Sequence, residues 1–214
     1  MKRRPSCRLF SRLYGILFVR GAPCATESGV MSKFEFERLA IPDVILVKPK
    51  VFGDARGFFC ETYRRNEFAD GGIHEEFVQD NHSRSAAKVL RGIHFQIAGQ
   101  AKMVRAAAGR IWDCAVDLRS DSPTYKQWVA AELTDENMHQ LYVPPFFGHG
   151  FVVLSESADV CYKVGPVYYA DETERGITWN DPEIGIEWPV PDPQVSERDD
   201  TAPTLSDLAA ELPF

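Results

Sequence analysis

Residues Ile111–Arg119 read IWDCAVDLR, with Trp112, Cys114, Val116 and Leu118 on one side of the alternation and Asp113, Ala115 and Asp117 on the other. A period of two sends successive side chains to opposite faces of an extended chain, so the segment predicts a strand covered on one face. Shorter strand candidates are Val89–Gln96, Trp128–Leu133, Gln140–Val143, Gly150–Leu154 and Val160–Val164. Turn-rich pieces such as Ser120–Tyr125 and Pro144–Gly148 separate them. Helical signals are confined to Arg65–Ala69 and a C-terminal stretch, Ser206–Leu212. There is no GxGxxG, no Walker loop and no strand–helix alternation, which argues against a nucleotide-binding α/β fold. Aromatics at 12%, with 14 Pro and 15 Gly, fit a β-rich chain with many turns. The expected fold is one all-β domain, a double-sheet jelly roll with short peripheral helices.

At 214 residues the chain is long enough to bury a core without disulfide or metal staples. Its formal net charge of −7 argues against non-specific nucleic-acid binding, although a small anion can still meet a local group of Arg and Lys. The charge is uneven: residues 1–30 carry six basic side chains and one acid. That basic start, the apolar Leu13–Val19 and the small residues at Ala22–Ala25 have the outline of a secretory signal. The apolar run is short and flanked by Arg12 and Arg20, and it fails as a membrane span. The more economical expectation is a basic N-terminal extension over residues 1–30, outside the native domain, and a single domain over residues 31–214. Five scattered cysteines without a CxxC fit reduced thiols in a cytoplasmic protein, with no metal site and no disulfide framework.

Chemistry-bearing residues concentrate in FVQDNHSRSAAKVLRGIHFQ, Phe77–Gln96. Alternation puts His94 and Gln96 on one face with Leu90, and Arg91, Ile93 and Phe95 on the other, with Gly92 permitting a close backbone approach to a ligand. A lone histidine in a strand is more often a satisfied core or rim residue than a catalyst. A second segment, YVPPFFGHGF, presents His149 between two glycines among aromatics, as a turn residue or a pocket wall. Tyr162 and Lys163 in VCYKVGPVYY follow, with Tyr168 and Tyr169. A phenol can serve as an acid or stack on a ring, and packing along a strand edge is the plainer role.

Seven ordered blocks carry a more specific signal: VFGDARGFFCETY, FVQDNHSRS, VLRGIHFQ, KMVRAAAGRIWDCAVDLRSDSPTY, QLYVPPFFGHGFVVLSE, YKVGPVYY and GITWNDPEIGIEWP. Together they resemble the dTDP-4-dehydrorhamnose 3,5-epimerase family over roughly residues 34–202. The resemblance implies a cupin-type jelly roll, a homodimer, a dTDP-sugar substrate, and work without metal or organic cofactor. It implies His94 as the base, Asp199 as its orienting carboxylate, Tyr162 as the acid and Lys102 as the cation beside the developing oxyanion. Arg56, Glu61, Gln79, Asn81, Arg91, His149, Glu174 and Arg198 would contact sugar, diphosphate and thymidine, and Tyr169 would stack on thymine. The stretch between Gln96 and Lys102 is shorter than usual for the family, with Ala101 where Gly is common and Arg198 where Lys is common.

The chemistry stands apart from the name. Protons beside a ketone are acidic because the carbanion delocalises as an enolate, and inversion needs a base on one face, an acid on the other and a cation or donor at the oxygen. Three other readings compete. A metal-dependent cupin would want histidines and a carboxylate converging on one ion, but Gln96 and Lys102 stand where ligands would be sought. A non-catalytic sugar-nucleotide binder would need no base and acid together. A relative that inverts only carbon 3 or only carbon 5 would use the same catalytic set.

Overall fold

The computed structural model describes residues 32–168, 170–209, 212 and 214. The expected extension over residues 1–30 and the stacking residue Tyr169 lie outside them. Among the described residues thirteen strands dominate. They are β1 (Phe34–Arg38), β2 (Ile45–Pro49), β3 (Val51–Asp54), β4 (Gly57–Cys60), β5 (Gln79–Ala86), β6 (Leu90–Gln96) and β7 (Ala101–Ala108). After these come β8 (Arg110–Asp117), β9 (Trp128–Thr134), β10 (Gln140–Val143), β11 (Phe147–Val153), β12 (Ser157–Gly165) and β13 (Glu174–Gly176). Helices are short: α1 (Arg65–Asp70), α2 (Glu197–Asp200) and α3 (Leu205–Leu208). No described helix is long and apolar enough to cross a membrane.

A six-stranded antiparallel sheet runs β1-β2-β10-β7-β12-β5, and a five-stranded one runs β13-β6-β11-β8-β9. They form the two layers of the jelly roll. Between them lies an apolar core that includes Val104, Ala106, Ile111, Leu141, Val143, Phe151 and Val160. A fully buried Val, Leu, Ile or Phe of this kind contributes about 1.5–3 kcal/mol. β3 and β4 make a separate two-stranded hairpin.

The strand expected at Ile111–Arg119 is β8, but it is covered on both faces rather than one. Asp113, Ala115 and Asp117 are fully buried, with Ala115 in the core between the sheets. Cys114, Val116 and Leu118 lie instead in an outer cluster with Ile177, Ile184, Leu205 and Leu208. The apolar face that looked made for a second sheet is covered by the chain after β13. That segment is hydrogen-bonded along β6: Ile93 and Ile177 exchange amide bonds at 3.1 and 2.9 Å, and the Leu90 amide donates to the Gln194 carbonyl at 2.9 Å. The C-terminal helix is shorter than expected, one turn at Leu205–Leu208 closed by a Thr204–Asp207 capping box.

Candidate active site

A cavity of about 140 Å³ opens between the sheets. His94, Gln96 and His149 reach it from the five-stranded sheet, with Glu174 on β13 beside them. Asn81, Ser83, Lys102 and Tyr162 reach it from the six-stranded sheet. Its polar lining thus stands on two opposed walls.

Arg91 lines the same cavity, against the expectation that it points away from His94. The cause is a bulge. Pairing between β11 and β6 runs His149↔His94 and then Phe151↔Arg91, so β6 spends two residues, Gly92 and Ile93, where β11 spends one. The extra residue inverts the alternation, bringing Arg91 to the face of His94. Gly92 is therefore needed by the bulge rather than by a ligand: its φ is +138°, and a Cβ there would lie 2.5 Å from the Gly150 Cα. Gly148 likewise packs away from the cavity, where a Cβ would meet Ile93 at 2.5 Å.

His94 Nε2 and Asp199 Oδ1 are 2.7 Å apart, and the Asp199 residue is 5% exposed. Asp199 is held by α2, where the Ser196 side chain caps the helix by accepting from the Asp199 amide at 3.1 Å. Burial raises the Asp199 carboxyl pKa, but the bond and charge of His94, with Ser196 and the Gly92 amide, outweigh it and the net shift is downward. The carboxylate on Nε2 leaves Nδ1 as the basic nitrogen of the neutral ring.

A second imidazole–carboxylate pair stands beside the first. His149 Nε2 lies 2.8 Å from Oδ1 of Asp113, which is fully buried. Burial pushes the His149 pKa down; Asp113 opposes this, and the Lys102 and His94 charges add to it. His149 is thus a neutral ring near pH 7. Asp113 escaped the sequence reading because an aspartate in an alternating strand looks like a solvent-facing residue.

Lys102 Nζ donates to the His94 carbonyl oxygen at 3.3 Å. Burial lowers its pKa to about 8, against the raising effect of Glu174 and Asp113. Tyr162 is pushed up by burial and by the Glu174 carboxylate, with Arg91 opposing, so it is a protonated phenol at neutral pH.

The remaining expected contacts divide. Gln79 donates to Asn81 Oδ1 at 2.9 Å just behind the wall, and Arg198 pairs with Glu174 at its rim. Arg198, Asp199, Arg91 and His94 also line an adjoining open groove. Arg56 and Glu61 are not brought to the cavity: Arg56 sits on the β3–β4 hairpin paired with Asp54, and Glu61 pairs with Lys33 and Arg64. Among the described residues no group of three or more His, Cys, Asp and Glu is placed to hold a metal ion. The ammonium of Lys102 would also repel one.

A family model described as dTDP-4-dehydrorhamnose 3,5-epimerase matches residues 38–207. The Pseudomonas aeruginosa dTDP-4-dehydrorhamnose 3,5-epimerase is 54% identical over 173 residues, covering 79% of this chain and 95% of the relative. A dTDP-4-dehydrorhamnose 3-epimerase of Streptomyces niveus is 38% identical, covering 79% of this chain and 83% of that one. Among solved structures, the Legionella pneumophila dTDP-6-deoxy-D-glucose-3,5-epimerase in complex with dTDP-4-keto-L-rhamnose aligns with a TM-score of 0.80 and 42% identity. That alignment covers 84% of this chain and 96% of the Legionella chain. The chain belongs to the dTDP-4-dehydrorhamnose 3,5-epimerase family.

Proposed function

We propose that the protein inverts carbons 3 and 5 of dTDP-4-dehydro-6-deoxyglucose to give dTDP-4-dehydrorhamnose, for dTDP-rhamnose biosynthesis. One observation carries the reading: an imidazole held by a buried carboxylate faces, across one cavity, a protonated phenol on the opposite sheet. His94 takes the proton from the carbon beside the ketone. The C–H electron pair becomes the C=C bond of the enolate, and the carbonyl pair moves to oxygen beside the Lys102 ammonium. Tyr162 then gives its proton to carbon from the other face, and its phenolate and the imidazolium are reset through solvent. Asp199 holds the tautomer and balances the imidazolium.

The other expected contacts fit the same ligand. Arg91 and Arg198, by the adjoining groove, suit a diphosphate, whose oxygens a guanidinium grips in pairs. A homodimer is part of the proposal. Phe58 and Phe59 on the β3–β4 hairpin are 61% and 64% exposed, beside Val51 and Phe52. Apolar surface of that kind on a projecting hairpin suits a second copy, and would bring Arg56 with it. Sedimentation showing only monomers would contradict this. We also place the protein in the cytoplasm, supported by Cys60, Cys114 and Cys161 being free thiols.

Turnover in heavy water tests the reaction. Product carrying deuterium at both carbons is expected. Label at one carbon alone would assign the chain to the single-centre relatives, a reading the 3-epimerase of Streptomyces niveus keeps in view.

A further inference from the structure

Gln96 is 3% exposed and lines the cavity on the face of β6 that carries His94. A buried carboxamide needs partners at both ends. Its oxygen has one: Thr173 Oγ1 lies 2.5 Å from Gln96 Oε1. An amide oxygen can only accept, so the proton of this bond comes from the hydroxyl. The threonine hydroxyl therefore gives its single proton to Oε1, although Ala170 O is also 3.2 Å away. The NH2 end is left on the cavity side. Among the described residues no acceptor reaches it, and it is not one of the polar atoms sealed away from all space, as Ser83 Oγ and Asp113 Oδ2 are.

Two charges share the cavity with it: Glu174, its cross-strand partner on β13, and Lys102, whose Nζ touches the carbonyl of His94 two residues earlier on the same strand as Gln96. A fixed neutral donor and a cation thus approach one end of the cavity from opposite sheets.

We propose that Gln96 Nε2 is a second donor to the ligand oxygen that becomes the enolate, which then sits between the Lys102 ammonium and the Gln96 amide. The proposal rests on the epimerase reading above. A donor locked in place by Thr173 gains strength as negative charge builds on the oxygen, so its effect belongs to kcat rather than to nucleotide affinity.

Three variants, measured beside the parent, test it. Gln96→Leu is expected to lower kcat about 10²-fold, with the Kd for dTDP within about threefold of the parent. Gln96→Glu keeps the shape but offers a carboxylate, which cannot donate. At pH 8 it is expected to fall below Gln96→Leu, and to gain on it as acid restores a proton to the introduced carboxyl. Should Gln96→Leu melt, Thr173→Val carries the same test, because it frees the amide to turn; kcat is expected to fall about tenfold, the worth of one misplaced hydrogen bond. Unchanged kcat in Gln96→Leu or Thr173→Val, or Gln96→Glu matching the parent at pH 8, overturns the proposal. A parent that washes no deuterium into the keto-sugar overturns the epimerase reading and this inference with it. A working parent with indifferent variants overturns this inference alone.

Discussion

Asp199→Asn changes the base of this enzyme without changing its shape. The carboxylate meets His94 Nε2 through Oδ1, and the Gly92 amide also favours its charged form. A carboxylate accepts through either oxygen, a carboxamide through one. If its oxygen stays with Gly92, its NH2 faces His94 Nε2, which must then hold the lone pair, and the ring proton moves to Nδ1. The nitrogen left for the ligand is now a donor and no longer a base. The anion that balanced the imidazolium is lost as well. The same replacement in a Ser-His-Asp triad costs about 10⁴ in kcat, and both effects act here, so a loss of about 10³–10⁴ is expected. At about 1.36 kcal/mol per tenfold, that is roughly 4–5.5 kcal/mol of transition-state stabilisation. If the amide oxygen stays on His94 instead, only the charge is lost and about 10² is expected. Hydrogen exchange at carbons 3 and 5, followed by proton NMR in heavy water, reads the rate. Nitrogen-15 shifts of the His94 ring read the tautomer, and a melting curve reports folding. A folded Asn variant within threefold of the parent rate would refute the argument.

Two further outcomes follow from the opposed walls and from Lys102. Tyr162→Phe is expected to keep exchange with retained configuration while net inversion falls by about 10²–10⁴, because only reprotonation from the far face is lost; equal losses in both would show that the phenol acts elsewhere. Lys102 is displaced downward, so its ammonium persists below about pH 8 and is lost as pH rises through that value. kcat should therefore carry a descending alkaline limb near pH 8, and a flat profile to pH 10 would deny the ammonium its role.

β6 and the strands from β8 to β12 announced themselves, whereas β1 to β5, β7 and β13 did not. β8 to β12 alternate or cluster hydrophobic residues, and each has a counterpart in the pattern of the chain. β5, QDNHSRSA, was missed because neither face is apolar: Asn81 and Ser83 face the cavity, while His82 and Arg84 are exposed and meet Asp159. β7, AKMVRAAA, is rich in alanine, which favours helix over strand in isolation. Its strand form is imposed by β10 and β12 on either side. His94, Tyr162 and Lys102 could be named from the blocks they stand in, and Asp199 only from the resemblance beyond the last block. Arg91 could be named from its block as well, but alternation put it on the wrong face, because alternation has no term for a bulge. Asp113 was hidden for a related reason: burial of a polar side chain is decided by what folds over it.

The chain after β13 closes the outer hydrophobic face of the five-stranded sheet, and it also brings Asp199 to His94. On a ribosome this segment emerges after every strand of both sheets. Until it docks, Ile93, Phe95, Val116 and Leu118 lack their cover, and the imidazole lacks its carboxylate. Competence thus arrives only after both sheets are complete. An immature copy is at once idle and sticky, so the surface a chaperone would grasp disappears in the same event that switches the histidine on.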